Sequence, residues 1–203
     1  TEGKKYKLAI LDTHPIQYRA PIFKELAKQK DIDLTVYFCS NWGVEKKELD
    51  PGMGVEIKWD IPLLEGYNFK FLKNYSPWPN PNKFFGLVNS GIISELKREK
   101  YDAVIIHGYV HLTNWLVFLG KKYTKTPIIL RGEADNAHGK SGIKERIKKE
   151  VLTRLLKKID AILYSYSRNK KFYESYGASE NNLFPMPCAV DNKLFQEQHS
   201  KLK

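Results

Sequence analysis

Residues 103–131, AVIIHGYVHLTNWLVFLGKKYTKTPIILR, decide the fold. Residues 103–107 are apolar almost without a break, as expected of a strand covered on both faces. Residues 112–123 predict a helix that buries Leu116, Val117 and Leu119. A second apolar run follows at 128–130. Strand, helix and strand, joined by more than a dozen residues, make a parallel βαβ unit with a right-handed crossover.

The same rhythm extends outward. Residues 7–11, 34–39 and 161–164 read as further strands. Residues 21–30 predict a helix burying Ile22, Phe23, Leu26 and Ala27, and 87–100 one burying Val88, Ile92, Ile93 and Leu96. A helix over 167–176 is closed by Gly177 as its C-terminal cap. The pattern is that of a parallel α/β sheet.

One helix carries an apolar stripe of Ile143, Ile147, Val151, Leu152, Leu155, Leu156 and Ile159. Around it sit Lys140, Lys144, Arg146, Lys148, Lys149, Arg154, Lys157 and Lys158, against Glu145 and Glu150. The stripe reads as core-facing. The basic outer face can lie on an anionic membrane.

Residues 41–86 break the rhythm. Residues 55–60 and 67–72 alternate like exposed strands, and 75–85 reads YSPWPNPNKFF. Prolines at 77, 79 and 81 exclude a regular helix there. The aromatics Tyr75, Trp78, Phe84 and Phe85 suit a sugar ring or a lipid tail, but the ordinary expectation is that they pack against the domain.

The length of 203 residues supports one substantial core. No stretch approaches the roughly 18 apolar residues of a membrane span, and no signal-peptide pattern opens the chain. Residues 1–5 read as a trimmed or tagged end. Two cysteines, Cys39 and Cys188, are too few for a disulfide framework and suit no zinc motif. A cytoplasmic location is the simplest reading. The net charge of +11 fits a solvated lysine-rich surface, an anionic membrane, phosphorylated substrates or nucleic acid. The lysines are spread along the chain and no nucleic-acid recognition motif appears, so nucleic acid is not an expected partner.

In an open parallel sheet, ligands bind beyond the carboxyl ends of the strands, near the point where strand order reverses. Three such places are chemically rich. The first strand runs into Asp12-Thr13-His14-Pro15-Ile16-Gln17-Tyr18-Arg19 without a Gly-x-Gly-x-x-Gly, which argues against a dinucleotide cofactor. His14, Gln17 and Tyr18 offer hydrogen-bond groups to a hydroxyl-rich ligand. The strand at 103–107 ends in His107-Gly108-Tyr109-Val110-His111, where Gly108 lets a ligand approach the backbone. His107 and His111 have the spacing of a zinc pair. Gly108 replaces the glutamate that such a helix needs, and His107 is still in a strand, so no metal is expected. The third place is Arg131-Gly132-Glu133-Ala134-Asp135. A guanidinium there suits a phosphate or carboxylate, and Glu133 suits sugar hydroxyls. Arg131 reads equally well as an ion-pair partner of Glu133 or Asp135. Ser167, after the strand at 161–164, reads as a helix cap.

Residues 176–195, YGASENNLFPMPCAVDNKLF, end a helix at Gly177, pass a short apolar run at 183–184 and two prolines, and reach Val190-Asp191 and Phe195. This tract resembles the interdomain crossing of the retaining glycosyltransferases of family 4, with Cys188-Ala189 in place of Asn-Gly. The resemblance extends to the opening strand and loop, although the family's Gly-Gly pair is missing there, and to His107 and the turn at 131–135. It implies a Rossmann-like three-layer sandwich with a mostly parallel sheet, the amino-terminal half of a GT-B fold. Residues 1–190 would form the acceptor-side domain and 191–203 the start of a linker to a carboxy-terminal donor-binding domain. It further implies transfer of a sugar from a nucleotide-sugar donor to a glycan or lipid-linked acceptor, with retention and without a metal or other cofactor. Cell-surface polysaccharide synthesis in a bacterium, at the inner face of the membrane, is what the family suggests. His107 would help position the transferred sugar, and His14, Gln17, Tyr18, Gly108, Tyr109, Arg131 and Glu133 would meet acceptor or substrate. Two other readings stay open: a basic binding module for anionic lipid or nucleic acid, and a stand-alone sugar-nucleotide epimerase.

Overall fold

The computed structural model describes residues 4–44, 48–49, 56–57, 61–135, 142–192, 196 and 199–200. In chain order the elements are β1 (Tyr6–Asp12), α1 (Ala20–Ala27), β2 (Ile32–Phe38), β3 (Glu48–Leu49), β4 (Glu56–Ile57) and β5 (Asn68–Phe71). They continue with α2 (Gly91–Glu99), β6 (Ala103–His107), α3 (Leu112–Thr124), β7 (Ile128–Arg131), α4 (Ile143–Leu156), β8 (Ala161–Tyr164), α5 (Ser167–Ser175) and β9 (Leu183–Pro185). Seven strands form one sheet in the order β5-β2-β1-β6-β7-β8-β9. Every neighbouring pair in it is parallel. β3 and β4 form a separate antiparallel pair.

The near-continuous apolar runs follow from burial on both faces. Ala9, Leu11, Val104, Ile106, Ile128, Leu130 and Ile162 point to the face covered by α2 to α5, where Ile92, Leu96, Val117, Phe118, Leu152 and Phe172 complete the core. Ile10, Leu34, Val36 and Phe38 point to the other face, under Phe23 of α1. Truncating a fully buried residue such as Ile106 to alanine should cost about 2–5 kcal/mol. The helices α2 and α3 end on Lys100 and Lys125 in the left-handed conformation, each donating its backbone N–H to the carbonyl four residues back. Gly177, at φ +86, follows α5 in the same left-handed region and donates its N–H to Glu174 O at 2.9 Å.

Some expectations hold and others are corrected. The exposed strand expected at 67–72 is present as β5, largely exposed and paired in parallel with β2 at one edge of the main sheet. The apolar run at 183–184 becomes β9 at the opposite edge, paired with β8. Of the strand expected at 55–60, Glu56–Ile57 pairs with Glu48–Leu49, and the rest lies outside the described residues. Leu119 is exposed, and α3 instead buries Thr113, Asn114, Val117, Phe118 and Gly120.

The stripe of α4 is core-facing over only part of its length. Leu152, Leu155, Leu156 and Ile159 are buried, whereas Ile143, Ile147 and Val151 are exposed. Lys140 and the side chain of Lys144 lie outside the described residues. The physical reason is length: 14 helical residues span about 21 Å, but four-residue strands cover only about 13 Å. The first turns of α4 therefore overrun the sheet they were expected to pack on. The aromatic loop also departs from expectation, because Tyr75, Trp78, Phe84 and Phe85 are all exposed.

Candidate functional site

The chain runs outward from β1 through β2 to β5, then returns to the other side of β1 to lay down β6, β7, β8 and β9. Strand order therefore reverses between β1 and β6, the place where an open α/β sheet offers a crevice. The register brings Leu11 beside Ile106, and His107 beside Arg131. Asp12, His107 and Arg131 thus end three adjacent strands at one level. By the alternation of the strands they share the face that α1 covers.

Asp12 is buried. Its Oδ1 accepts hydrogen bonds from the Thr13 amide at 2.8 Å and from Arg19 Nη1. Its Oδ2 has no hydrogen-bond partner among the described residues, and neither has Nδ1 of His107. These two atoms are 3.9 Å apart, too far for a direct bond. A ligand hydroxyl or a water at about 2.8 Å from each would satisfy both.

Burial alone would raise the Asp12 carboxyl. The charges of His107 and Arg19 and the hydrogen bonds from Arg19 and Thr13 outweigh it and hold the group below its ordinary range. His107 is pushed down to about 4, first by burial and then by Arg19 and Arg131, against the pull of Asp12. At neutral pH its imidazole is therefore uncharged, and the guanidinium of Arg19 is the cation that faces Asp12.

Arg131 is buried and donates to Ser165 Oγ, to Glu133 Oε1 at 3.5 Å and to Cys188 Sγ at 3.7 Å. Of the two partners the sequence offered it, the structure chooses Glu133. Asp135 pairs with Arg168 at 3.2 Å. Asn114 at the start of α3 donates to the carbonyls of His107 and Gly108 at 3.1 and 2.8 Å, which fixes the turn after β6. Asn169 ties the turns after β7 and β8 together by donating to Ala134 O and accepting from Ser165 N–H.

Of these side chains Arg19, His107, Arg131, Glu133 and Cys188 border a cavity of about 230 Å³, and Asp12 lies buried behind it. Its walls come from the first loop (Thr13, Tyr18, Arg19), from His107 and Gly108, and from Arg131 to Glu133. The tract from Met186 to Ala189, beyond β9, closes the remaining side. Gly108, at φ +73, leaves open space where a Cβ would stand, so a ligand can reach the backbone there. Gly132 is glycine for another reason: a Cβ would lie 2.4 Å from the buried hydroxyl of Tyr173.

Of the residues singled out from the sequence, Tyr18, His107, Gly108, Arg131 and Glu133 meet at this cavity. The others stand elsewhere. His14 packs edge-on against Trp42, with Nδ1 3.0 Å from the Thr13 hydroxyl. Gln17 is exposed and outside the lining. Tyr109 packs against the core, and burial, with Tyr176 and Glu145 nearby, pushes its hydroxyl up to about 12. Asp12 and Arg19 were not singled out. A carboxylate closing an apolar strand, with an arginine just beyond it at the start of a helix, is the signal that finds them. Among the described residues, no cluster of His, Cys, Asp and Glu could hold a metal ion.

No family model matches the sequence, and no curated protein matches it either. Solved structures do. A UDP-N-acetylglucosamine 2-epimerase superposes on 90% of this chain with a TM-score of 0.56 at 16% identity. Anabaena Alr3699/HepE, in complex with UDP and glucose, superposes on 97% with a TM-score of 0.53 at 8% identity. The chain spans about half of each, 48% and 50% of their lengths. At such identities the likeness is one of fold, and it places this chain among the Rossmann-like α/β sandwiches of the GT-B type.

Proposed function

We propose that this chain is the sugar-binding half of a GT-B-fold enzyme acting on a nucleotide sugar, and that the enzyme is a glycosyltransferase. The row Asp12, His107, Arg131 at the switch point, of which His107 and Arg131 line the cavity and Asp12 lies buried behind them, carries this reading. Asp12 faces His107 at 3.9 Å, and the neutral imidazole meets a hydroxyl of the transferred sugar or the acceptor. Arg131 and Arg19 favour the negative charge that grows on a departing diphosphate. Closure of a second domain over the cavity would exclude water, and no metal is needed in this half. The donor nucleotide would be held mainly by that second domain, and the acceptor would be a glycan or lipid-linked sugar on the cytoplasmic side of a membrane. The resemblance to family 4 supports retention of configuration.

The test has two arms. UDP-glucose titrated into this chain alone should bind weakly, at about millimolar affinity, and micromolar binding would mean that the donor half has been misassigned. In the whole protein, His107→Asn should lower kcat while leaving KM for the nucleotide sugar nearly unchanged.

A second reading is favoured by a carboxylate and a neutral imidazole standing 3.9 Å apart beside the cavity and by the epimerase neighbour. Asp12 and His107 could then move a proton on the sugar of UDP-N-acetylglucosamine without any acceptor. Deuterium entering the sugar from D2O in the absence of acceptor would select this reading. Its absence, with sugar transfer present, would select the first.

A further inference from the structure

The loop between β5 and α2 is locked from inside. Asn74 donates to Gly86 O at 2.9 Å and accepts from the amides of Ser76 and Val88 at 3.0 and 2.9 Å. Asn80 accepts from the Asn82 amide at 2.8 Å, Ser76 Oγ from the Trp78 amide at 3.2 Å, and the Pro81 carbonyl contacts His111 Nε2. Gly86 lies so close to the Asn80 carbonyl that a Cβ there would be 1.9 Å from it. The polar side chains thus serve the loop's own backbone.

What faces outward is aromatic: Trp78 is 80% exposed, Phe85 65% and Tyr75 57%, with Phe84 edge-on to Phe85 at 4.8 Å. Several exposed aromatic side chains held on one internally bonded loop mark an interaction surface. Its charge is of one sign. No Asp or Glu occurs between Glu65 and Glu95, while Lys73 sits 5.1 Å over the Tyr75 ring and Lys83 is exposed. A sugar platform needs hydrogen-bond groups beside the rings to read hydroxyls, and here the Asn74 side chain, the Ser76 hydroxyl and the Asn80 side-chain oxygen are engaged by the loop's own backbone. Aromatic tips flanked by lysines are the composition of a membrane-interface anchor.

A second patch points the same way. Ile143, Ile147 and Val151 line the exposed side of α4 among Arg146, Lys148, Lys149 and Arg154, of which Lys148 pairs with Glu145 and Arg154 with Glu150. The loop follows the carboxyl end of β5 and is tied to the turn after β6. α4 begins beyond the carboxyl end of β7. Both patches therefore lie towards the edge of the sheet that carries the cavity. Two weak anchors on one side give the paired attachment that stable membrane binding requires.

We propose that the 74–87 loop, assisted by α4, docks this chain on an anionic lipid surface and brings the cavity edge towards the bilayer. This goes beyond the sugar reading, because vesicle binding can persist with an inactive cavity and fail with an active one. The probe is co-sedimentation with phosphatidylcholine vesicles with and without phosphatidylglycerol, together with tryptophan emission. The chain should bind the anionic vesicles at low salt with a blue shift that Trp78→Phe removes. Trp78→Ser combined with Phe85→Ser should weaken binding at least about tenfold, and Lys73→Glu with Lys83→Glu should abolish the preference for anionic lipid. Leu119→Ser with Tyr123→Ser, exposed at the far end of α3, should leave binding unchanged. Equal binding by the Trp78/Phe85 variant, equal binding to neutral vesicles, or emission changes with soluble oligosaccharides but not with vesicles would overturn the proposal.

Discussion

The two edges of the parallel sheet treat polar groups in opposite ways. At the amino-terminal edge, the carboxylate before one strand closes on its neighbour. Asp102, just before β6, accepts from the Lys7 amide at 2.8 Å, and Asp160, just before β8, accepts from the Ile128 amide at 2.7 Å and from Lys121 at 2.7 and 2.8 Å. Among the described residues there, the Thr126 hydroxyl alone is buried without a partner. At the carboxyl edge Asp12 Oδ2 and His107 Nδ1 face each other unsatisfied beside an open cavity. Buried polar atoms are nearly always paired, and two that converge on one point offer a hydroxyl or a water a place to bind. One edge spends its polar groups on holding strands together. The other keeps them available.

This contrast predicts that carboxyl-edge substitutions change activity and pH response, while amino-edge substitutions change stability. The largest effect is expected from His107→Asn in the whole protein. Steady-state kinetics should show kcat falling about 10²-fold or more, with a melting temperature at neutral pH that is unchanged or higher.

The next effect is in acid. The folded His107 is pushed down to about 4, below the roughly 6.5 of an unfolded histidine. Protons therefore bind the unfolded chain first, and stability is lost as pH falls from about 6.5 towards 4. The loss attributable to this residue is up to roughly 3 kcal/mol, and above pH 6.5 it vanishes. Chemical denaturation across that range should show a slope that His107→Asn flattens.

At the amino edge, Asp160→Ala removes a hydrogen bond to a strand amide and a partly exposed ion pair. It should cost about 1–2 kcal/mol in urea denaturation without altering catalysis. The smallest effect is a gain. Lys125 holds a left-handed conformation at φ 57, which a side chain disfavours, so Lys125→Gly should stabilise by about 0.5–1 kcal/mol.

The same contrast explains what could be read in the sequence. The central strands announce themselves because both faces are buried, and residues following such strands fall at a crevice by topology alone. His107, Gly108, Arg131 and Glu133 were legible for that reason. His14 and Gln17 were less so, because a loop's residues do not all turn towards the strand ends. Asp12 is hard to read from sequence, because a carboxylate at the end of a buried strand looks like the start of a loop until the register with His107 is known. The edge strands β5 and β9 carry weak signals, since their short runs are paired on one side only. The outward turn of Ile143 and Ile147 depends on the length of the strands beneath α4, a quantity that helical periodicity does not contain. The exposure of Trp78 depends on an internal polar network that becomes visible only once the loop is folded.

The most direct measurement follows the histidine side chains of this chain by long-range 1H–15N spectroscopy, first across pH and then with millimolar UDP-glucose. The account predicts that His107 titrates near 4 and that its ring signals move with the ligand while those of His14 stay in place. A His107 that titrates near the ordinary 6.5, or a ring indifferent to a ligand that shifts signals elsewhere, would contradict it.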